Sequence, residues 1–229
     1  MTASLITLSS MATRELLAEL AQSYGRERRV SVDVTSVGGV DAARRVRAGE
    51  RLDVVVLASN VMGQLEVEGR IMPGSRADIA RSSMGVAVPE SGDQPDIGDA
   101  AAVRSVILQA RVVCYSTGPS GDHLQKLLSQ WDMLDAVREK MLQAPAGVSV
   151  ASLIAEGRAD LGFQQLSELM ATPGVHVLGL LPAELQPTTI FSAGVASTSD
   201  HPTEAGAFIG YLASPGTTSV KRRLGMDAA

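Results

Sequence analysis

Cysteine is nearly missing from this chain. Cys114 is the only one in 229 residues, which excludes an intrachain disulfide and a thiolate zinc cluster. It ends the strand-like run Ala110-Arg111-Val112-Val113-Cys114 and reads as a buried small hydrophobe, not a nucleophile. Histidine is scarce too: His123, His176 and His201 are too scattered for metal-ligand spacing. Aromatic residues make up 3% of the chain and the formal net charge is -5. No basic stripe with interleaved aromatics occurs, so a general nucleic-acid surface is excluded. No apolar tract is long enough for a membrane span. Walker loops and dinucleotide fingerprints are absent as well, so neither membrane insertion nor a cofactor is expected.

What is present is apolar sequence in short, punctuated runs. Hydrophobic residues are 45% of the total, enough for a sizeable core in one large domain or two small ones. Leu5-Ile6-Thr7-Leu8 reads as a strand ending at Ser9-Ser10. A helix follows from Met11 to Tyr24, with Ser10 as its N-cap and Gly25 as its stop. Val30–Val34 alternates as a strand does, then passes through Ser36-Val37-Gly38-Gly39-Val40 into a second helix. Leu52-Asp53-Val54-Val55-Val56-Leu57 is continuous and β-branched, the pattern of a strand buried on both faces. Further on, Tyr115-Ser116-Thr117-Gly118-Pro119-Ser120-Gly121 joins a strand to a leucine-spaced helix with Ser120 as a natural N-cap. The loop 144–149 precedes a helix through Ile154, Leu161-Gly162-Phe163 is a short strand, and Gln164–Met170 turns back into helix.

Strands alternating with helices over the whole length predict an α/β chain with mostly parallel sheets flanked by helices. Ligands in such sheets bind beyond the carboxyl ends of the strands. The turns carrying Ser9, Ser10, Gly38, Gly39, Val40, Thr117, Gly118, Ser120, Gly121, Gly147 and Val148 are therefore the candidate ligand-binding positions. Glycine lets backbone approach a ligand, and the free N–H groups of a first helical turn attract anions. This is chemistry for a small oxyanion or carboxylate.

The phrases Ser9-Ser10, Gly38-Gly39, Ala48-Gly49-Glu50-Arg51-Leu52-Asp53-Val54-Val55-Val56 and Glu156-Gly157-Arg158-Ala159-Asp160-Leu161-Gly162 give the chain its likeness. Over nearly its whole length it resembles the type II periplasmic solute-binding proteins, in the branch of the molybdate-binding proteins. That resemblance implies two α/β lobes joined by crossing segments, with a ligand cleft between them that closes like a hinge. Lobe one would be residues 1–82 plus 191–229, and lobe two residues 83–190. Molybdate binders of this type present a serine where this chain has Gly38-Gly39-Val40, and a tyrosine near its Gln164-Gln165. The phrases Ala80-Arg81-Ser82, Tyr115-Ser116, Gly162–Leu169, Leu181–Gln186 and Phe191-Ser192-Ala193-Gly194 resemble another branch, which includes aconitate isomerase. The reaction implied moves a proton across an allylic system and interconverts trans- and cis-aconitate.

A polycarboxylate needs positive charge and a proton shift needs a base. Arg81, beside Ser82, offers a bidentate fork. Arg14, one turn into the first helix, is a second candidate, and Gln164 and Gln165 offer amide donors. For the base there are two candidates. Burial beside apolar residues would raise the pKa of Glu168, while a helix N-terminus would keep the His123 imidazole neutral. The sequence thus points to an isomerase of unsaturated polycarboxylates acting on a small anionic ligand. The alternative is a non-catalytic solute-binding component of an ABC importer, for an organic acid or molybdate-like oxyanion, with a permease as partner if exported. The opening Met1–Ser10 has no basic n-region or long apolar h-region. A cytoplasmic location is therefore favoured, and a periplasmic one if the chain is a processed form.

Overall fold

A computed structural model describes residues 4–229. The chain divides into two units, one formed by the chain up to Ser82 with Thr189–Ala229, the other by Ser83–Thr188. The first unit opens with β1 (Ser4–Ser10), α1 (Arg14–Arg28), β2 (Ser31–Val37), α2 (Gly39–Arg47), β3 (Val54–Ala58) and α3 (Ser59–Val67). The long strand β4 (Ala77–Pro89) then carries the chain into the second unit. There it continues as α4 (Ala100–Gln109), β5 (Val113–Tyr115), α5 (Pro119–Gln130), α6 (Leu134–Val137) and β6 (Met141–Gln143). Next come α7 (Val150–Ala155), β7 (Leu161–Gln165), α8 (Leu166–Leu169) and β8 (Val175–Leu180). The first unit is completed by β9 (Thr188–Val195), α9 (Pro202–Ala213), α10 (Thr218–Arg223) and β10 (Met226–Asp227).

Side chains alternate across a strand, so one strand can feed two cores. In the first unit Val54 and Val56 of β3 join Leu16, Leu17, Phe191, Phe208 and Leu212. Val55 and Leu57 point the other way, to Leu8, Ala42, Val46 and Leu65. The aromatics of this unit lie on the first of these faces, where the Tyr24 ring is 5.0 Å from Phe208 and 5.2 Å from Tyr211. The second unit repeats the logic. Val113, Leu161 and Phe163 enter one core with Met84, Val86 and Leu124, and Cys114 enters the other with Ala87, Val150 and Ile154. Full burial of each such side chain contributes about 1.5–3 kcal/mol.

The expectation of mostly parallel sheets is corrected: pairing is mixed in both units. β1 is parallel to β2 and β3, and β5 is parallel to β6 and β7. However, β9 runs antiparallel to β3, β10 to β4, and both β7 and β8 to β4. A parallel neighbour needs a crossover connection within its own unit. Strands such as β4 and β9, at which the chain passes from one unit to the other, are free of that requirement.

Local details differ in instructive ways. α1 does not stop at Gly25 but runs to Arg28 and closes at Arg29, in the left-handed region at φ 58°. Gly25 answers a packing need instead, because a Cβ there would lie 2.9 Å from the Val30 carbonyl oxygen. Ser10 makes no side-chain cap, and a 3-10 turn, Met11–Thr13, precedes α1. At α5 the N-cap is Gly118 with Pro119 as first helical residue, so Ser120 sits inside the first turn. Within the basic cluster Lys221-Arg222-Arg223 that ends α10, Lys221 is 1% exposed and donates its Nζ to the Leu212 carbonyl at 2.8 Å. That carbonyl lies in the last turn of α9, where a cation is favoured.

Two glycines, Gly121 in the first turn of α5 and Gly162 in β7, are expected to tolerate no side chain. A Cβ at Gly121 would fall 1.8 Å from the Ser116 carbonyl oxygen, and one at Gly162 would fall 2.5 Å from both Ile154 and Val150 side chains. Gly121→Ala should prevent stable folding, and Gly162→Ala should cost about 1–3 kcal/mol in urea denaturation. Gly206→Ala in α9, with nothing within 4 Å of the new methyl, should stabilise by about 0.5–1 kcal/mol.

Candidate functional site

In the first unit the parallel register pairs Ser9 with Ser36 and Ser10 with Val37, so β1 and β2 end side by side. Helix α2 begins there, with Gly38 as its N-cap and no side chain capping it. A Cβ at Gly39 would come 4.0 Å from the Ser10 Cβ, which puts the Ser10 side chain next to the helix start. The Ser9 hydroxyl is bonded to that of Ser36 at 2.7 Å. The buried Ser10 Oγ has no hydrogen-bond partner. A buried unsatisfied hydroxyl costs about 1–3 kcal/mol, and a ligand oxygen would relieve it. Val40 is exposed.

The arginines do not join this group. Arg14 is solvent-facing, 3.6 Å from Glu15. Arg81 is exposed on β4 and donates its Nε to the Ala228 carbonyl at 2.8 Å, so part of its fork is committed to the C-terminal backbone. Ser82 points to the opposite face of the strand, buried, with its hydroxyl unpartnered. Nearby sequence hid a structural acid: the buried Asp53 accepts from the Ile6 N–H at 2.9 Å and the Ser199 hydroxyl at 2.7 Å.

In the second unit Tyr115 pairs with both Gln143 and Phe163. The carboxyl ends of β5, β6 and β7 therefore lie together, and the turns that follow them share one end of the sheet. After β5, the Ser116 hydroxyl bonds the Gly118 N–H at 3.2 Å and the Ser120 hydroxyl at 2.9 Å. Thr117 lies half-buried between them. After β6, Gly147 takes a left-handed φ of 79° in a turn closed by the Val148 N–H on the Pro145 carbonyl. Both Gly147 and Val148 are exposed. Ser149 then caps α7, accepting from the Ala151 N–H at 3.1 Å.

After β7 comes the most built part of the site. Gln164 is 1% exposed, and its Oε1 accepts from the Ser149 hydroxyl at 3.2 Å and the Ala151 N–H at 3.4 Å. Its Nε2 donates to Glu168 Oε1 at 2.7 Å. Glu168 keeps some exposure as a residue, yet its carboxyl has lost so much water that its pKa is pushed up to about 7, against the lowering pull of the Gln164 amide. Gln165, also buried, is the residue from which α8 starts.

His123 stands apart from these groups in its bonding. Its Nε2 is 2.7 Å from the Leu185 carbonyl, so that nitrogen carries the hydrogen and ties α5 to the following loop. The Cys114 thiol is buried and its pKa is pushed up to about 11 by desolvation, which leaves it inert. The participant missed by sequence reasoning is Ser149. Its N-cap position was legible in principle, but its partner depends on the placement of β7 against α7. Among the described residues no group of three or more His, Cys, Asp or Glu is placed to hold a metal ion.

With this geometry in view, comparison places the chain in a class. The model of the bacterial extracellular solute-binding protein family matches residues 5–227, and the chain belongs to that family. A more particular relative is a Pseudomonas protein named aconitate isomerase, 34% identical over 218 residues, covering 92% of this chain and 82% of that one. The fold matches the periplasmic molybdate-binding protein of Azotobacter vinelandii with a TM-score of 0.81 at 20% identity, over 97% of this chain and 98% of that one. The sulfate-binding protein of Mycobacterium tuberculosis matches with 0.77 at 15% identity, over 98% and 86%. The architecture is therefore the α/β periplasmic-binding-protein fold.

Glu168 also makes a stability prediction. Its folded pKa of about 7 lies above the ordinary 4.5, so the folded state holds the proton over a window in which the unfolded chain releases it. Stability must then fall as pH rises through that window and level off above the folded value. Glu168→Gln should remove this decline and stabilise the protein by on the order of 2 kcal/mol at pH 8, read from urea midpoints between pH 5 and 8.

Proposed function

We propose that the protein is an isomerase of unsaturated polycarboxylates, working by allylic proton transfer on a substrate of the aconitate type. The observation that carries this reading is the Glu168 carboxyl at the end of β7, with a pKa near neutrality. An ionised carboxylate repels an anion held beside it. Proton transfer, in contrast, needs a group that takes and gives a proton at the operating pH. In this scheme the Glu168 carboxylate removes a proton from the substrate methylene. The C–H electron pair spreads over the allylic system and its carboxylates, the double bond shifts, and Glu168 returns a proton at the far carbon. No oxidant or reductant is consumed. The isomerase name of the Pseudomonas relative supports the same reading.

Family membership favours a second reading, a non-catalytic solute-binding component of an importer. NMR of the purified protein with trans-aconitate in deuterated buffer separates the two. The isomerase reading predicts the cis isomer and deuterium in recovered substrate. It also predicts that Glu168→Gln lowers kcat by about 10²–10⁴-fold. Line broadening of trans-aconitate without product or exchange would decide for the binding protein.

A further inference from the structure

We infer that Gln164 is a positioning residue for the base Glu168, and that Ser149 with the Ala151 N–H is the device that sets it. This rests on the isomerase reading and goes past it, by saying how the base is held. A side-chain amide can face either way, and the difference usually depends on weak preferences. Here it does not. A backbone N–H can only donate, and the Ala151 N–H, shared between the Ser149 Oγ at 3.1 Å and the amide at 3.4 Å, favours the amide oxygen on that side. The Ser149 hydroxyl adds a second donor to the same atom at 3.2 Å. The nitrogen is thereby turned to Glu168, where it donates to Oε1 at 2.7 Å. Since Oε1 is held by an N–H, the atom of Glu168 that takes and returns the proton is Oε2. His123 is bonded elsewhere, with its Nε2 on the Leu185 carbonyl.

The surroundings leave this bond as the main polar control on Glu168. Elements packed against α8 include α7, β7, β8 and β4, whose Gly85 lies against Leu166 and Leu169. The titratable groups on or beside them are His176 on β8, Asp78 and Arg81 at the far end of β4 and, between α7 and β7, Glu156, Arg158 and Asp160. Asp160 is engaged by Arg111 at 2.7 Å, and Glu156 lies 3.6 Å from Arg158. None of them contributes to the shift at Glu168, which comes from burial opposed by Gln164.

The test compares Gln164→Met, which keeps the length of the side chain and removes the amide, with Ser149→Ala at a half-buried surface position. Losing the donor to a carboxylate raises its pKa. The acid limb of the kcat/KM profile should therefore move up by about one pH unit in Gln164→Met, and by less in Ser149→Ala. kcat should fall by about tenfold or more, with KM within about twofold. A fall in kcat with the limb unmoved would overturn the inference and leave Gln164 a substrate contact or a packing group. If the wild type turns over no unsaturated polycarboxylate, the proposed activity fails, and stability decides the inference instead. The pH at which the decline in urea midpoint levels off must then rise in Gln164→Met, and an unchanged levelling point overturns it.

Discussion

A backbone N–H has no second role, and that constraint runs through the second unit. Because the Ala151 N–H can only donate, the Gln164 amide is turned with its oxygen to α7 and its nitrogen to Glu168. For this to happen α7 must lie close against β7, and it does so over Gly162, where any side chain would collide with Val150 and Ile154. The buried amide and the desolvated carboxyl stabilise one another's geometry. Neither would tolerate burial alone, since an unsatisfied polar group in low dielectric costs about 1–3 kcal/mol and an unpaired charge more. The pKa of Glu168 is the outcome of two opposed effects, with desolvation the larger.

On the isomerase reading, chemistry differs from capture in the polarity at the strand ends. Hydroxyls, glycines and helix starts, such as Ser10 with Gly38-Gly39 and Ser116 with Gly118, offer donors to an anion. Donors alone describe a binding protein. A carboxyl placed at the end of β7 works against anion capture unless it carries a proton part of the time, and only burial makes that possible near neutral pH.

Much of this was legible in the sequence, for definite reasons. The run Leu52–Leu57 could only be a strand with both faces covered, and β3 feeds two cores as that requires. Glycine- and hydroxyl-rich turns marked the carboxyl ends of β1, β2 and β5 because few other residues allow a strand to enter a helix so abruptly. Glu168 was recognisable as a candidate base from its apolar neighbours. What local pattern could not give was pairing between distant strands. The antiparallel placement of β4 and β9 depends on the path of the chain, and the meeting of Ser149 with Gln164 depends on how β7 lies against α7. Gly25 misled for the same reason: the neighbour that demands a glycine, the Val30 carbonyl, lies beyond the helix. Nothing local marks Lys221 as buried, because its partner is a backbone carbonyl, which carries no sequence signal.

The most direct measurement is a titration of the Glu168 side-chain carboxyl in the free protein. Carbon-13 NMR of carboxyl-labelled glutamate would follow it, with the signal assigned by its loss in Glu168→Gln. The account predicts a midpoint of about 7, far above the ordinary 4.5. A midpoint near the ordinary value would mean that Glu168 is a solvated carboxylate at neutral pH, and the claim that burial makes it a base would be wrong.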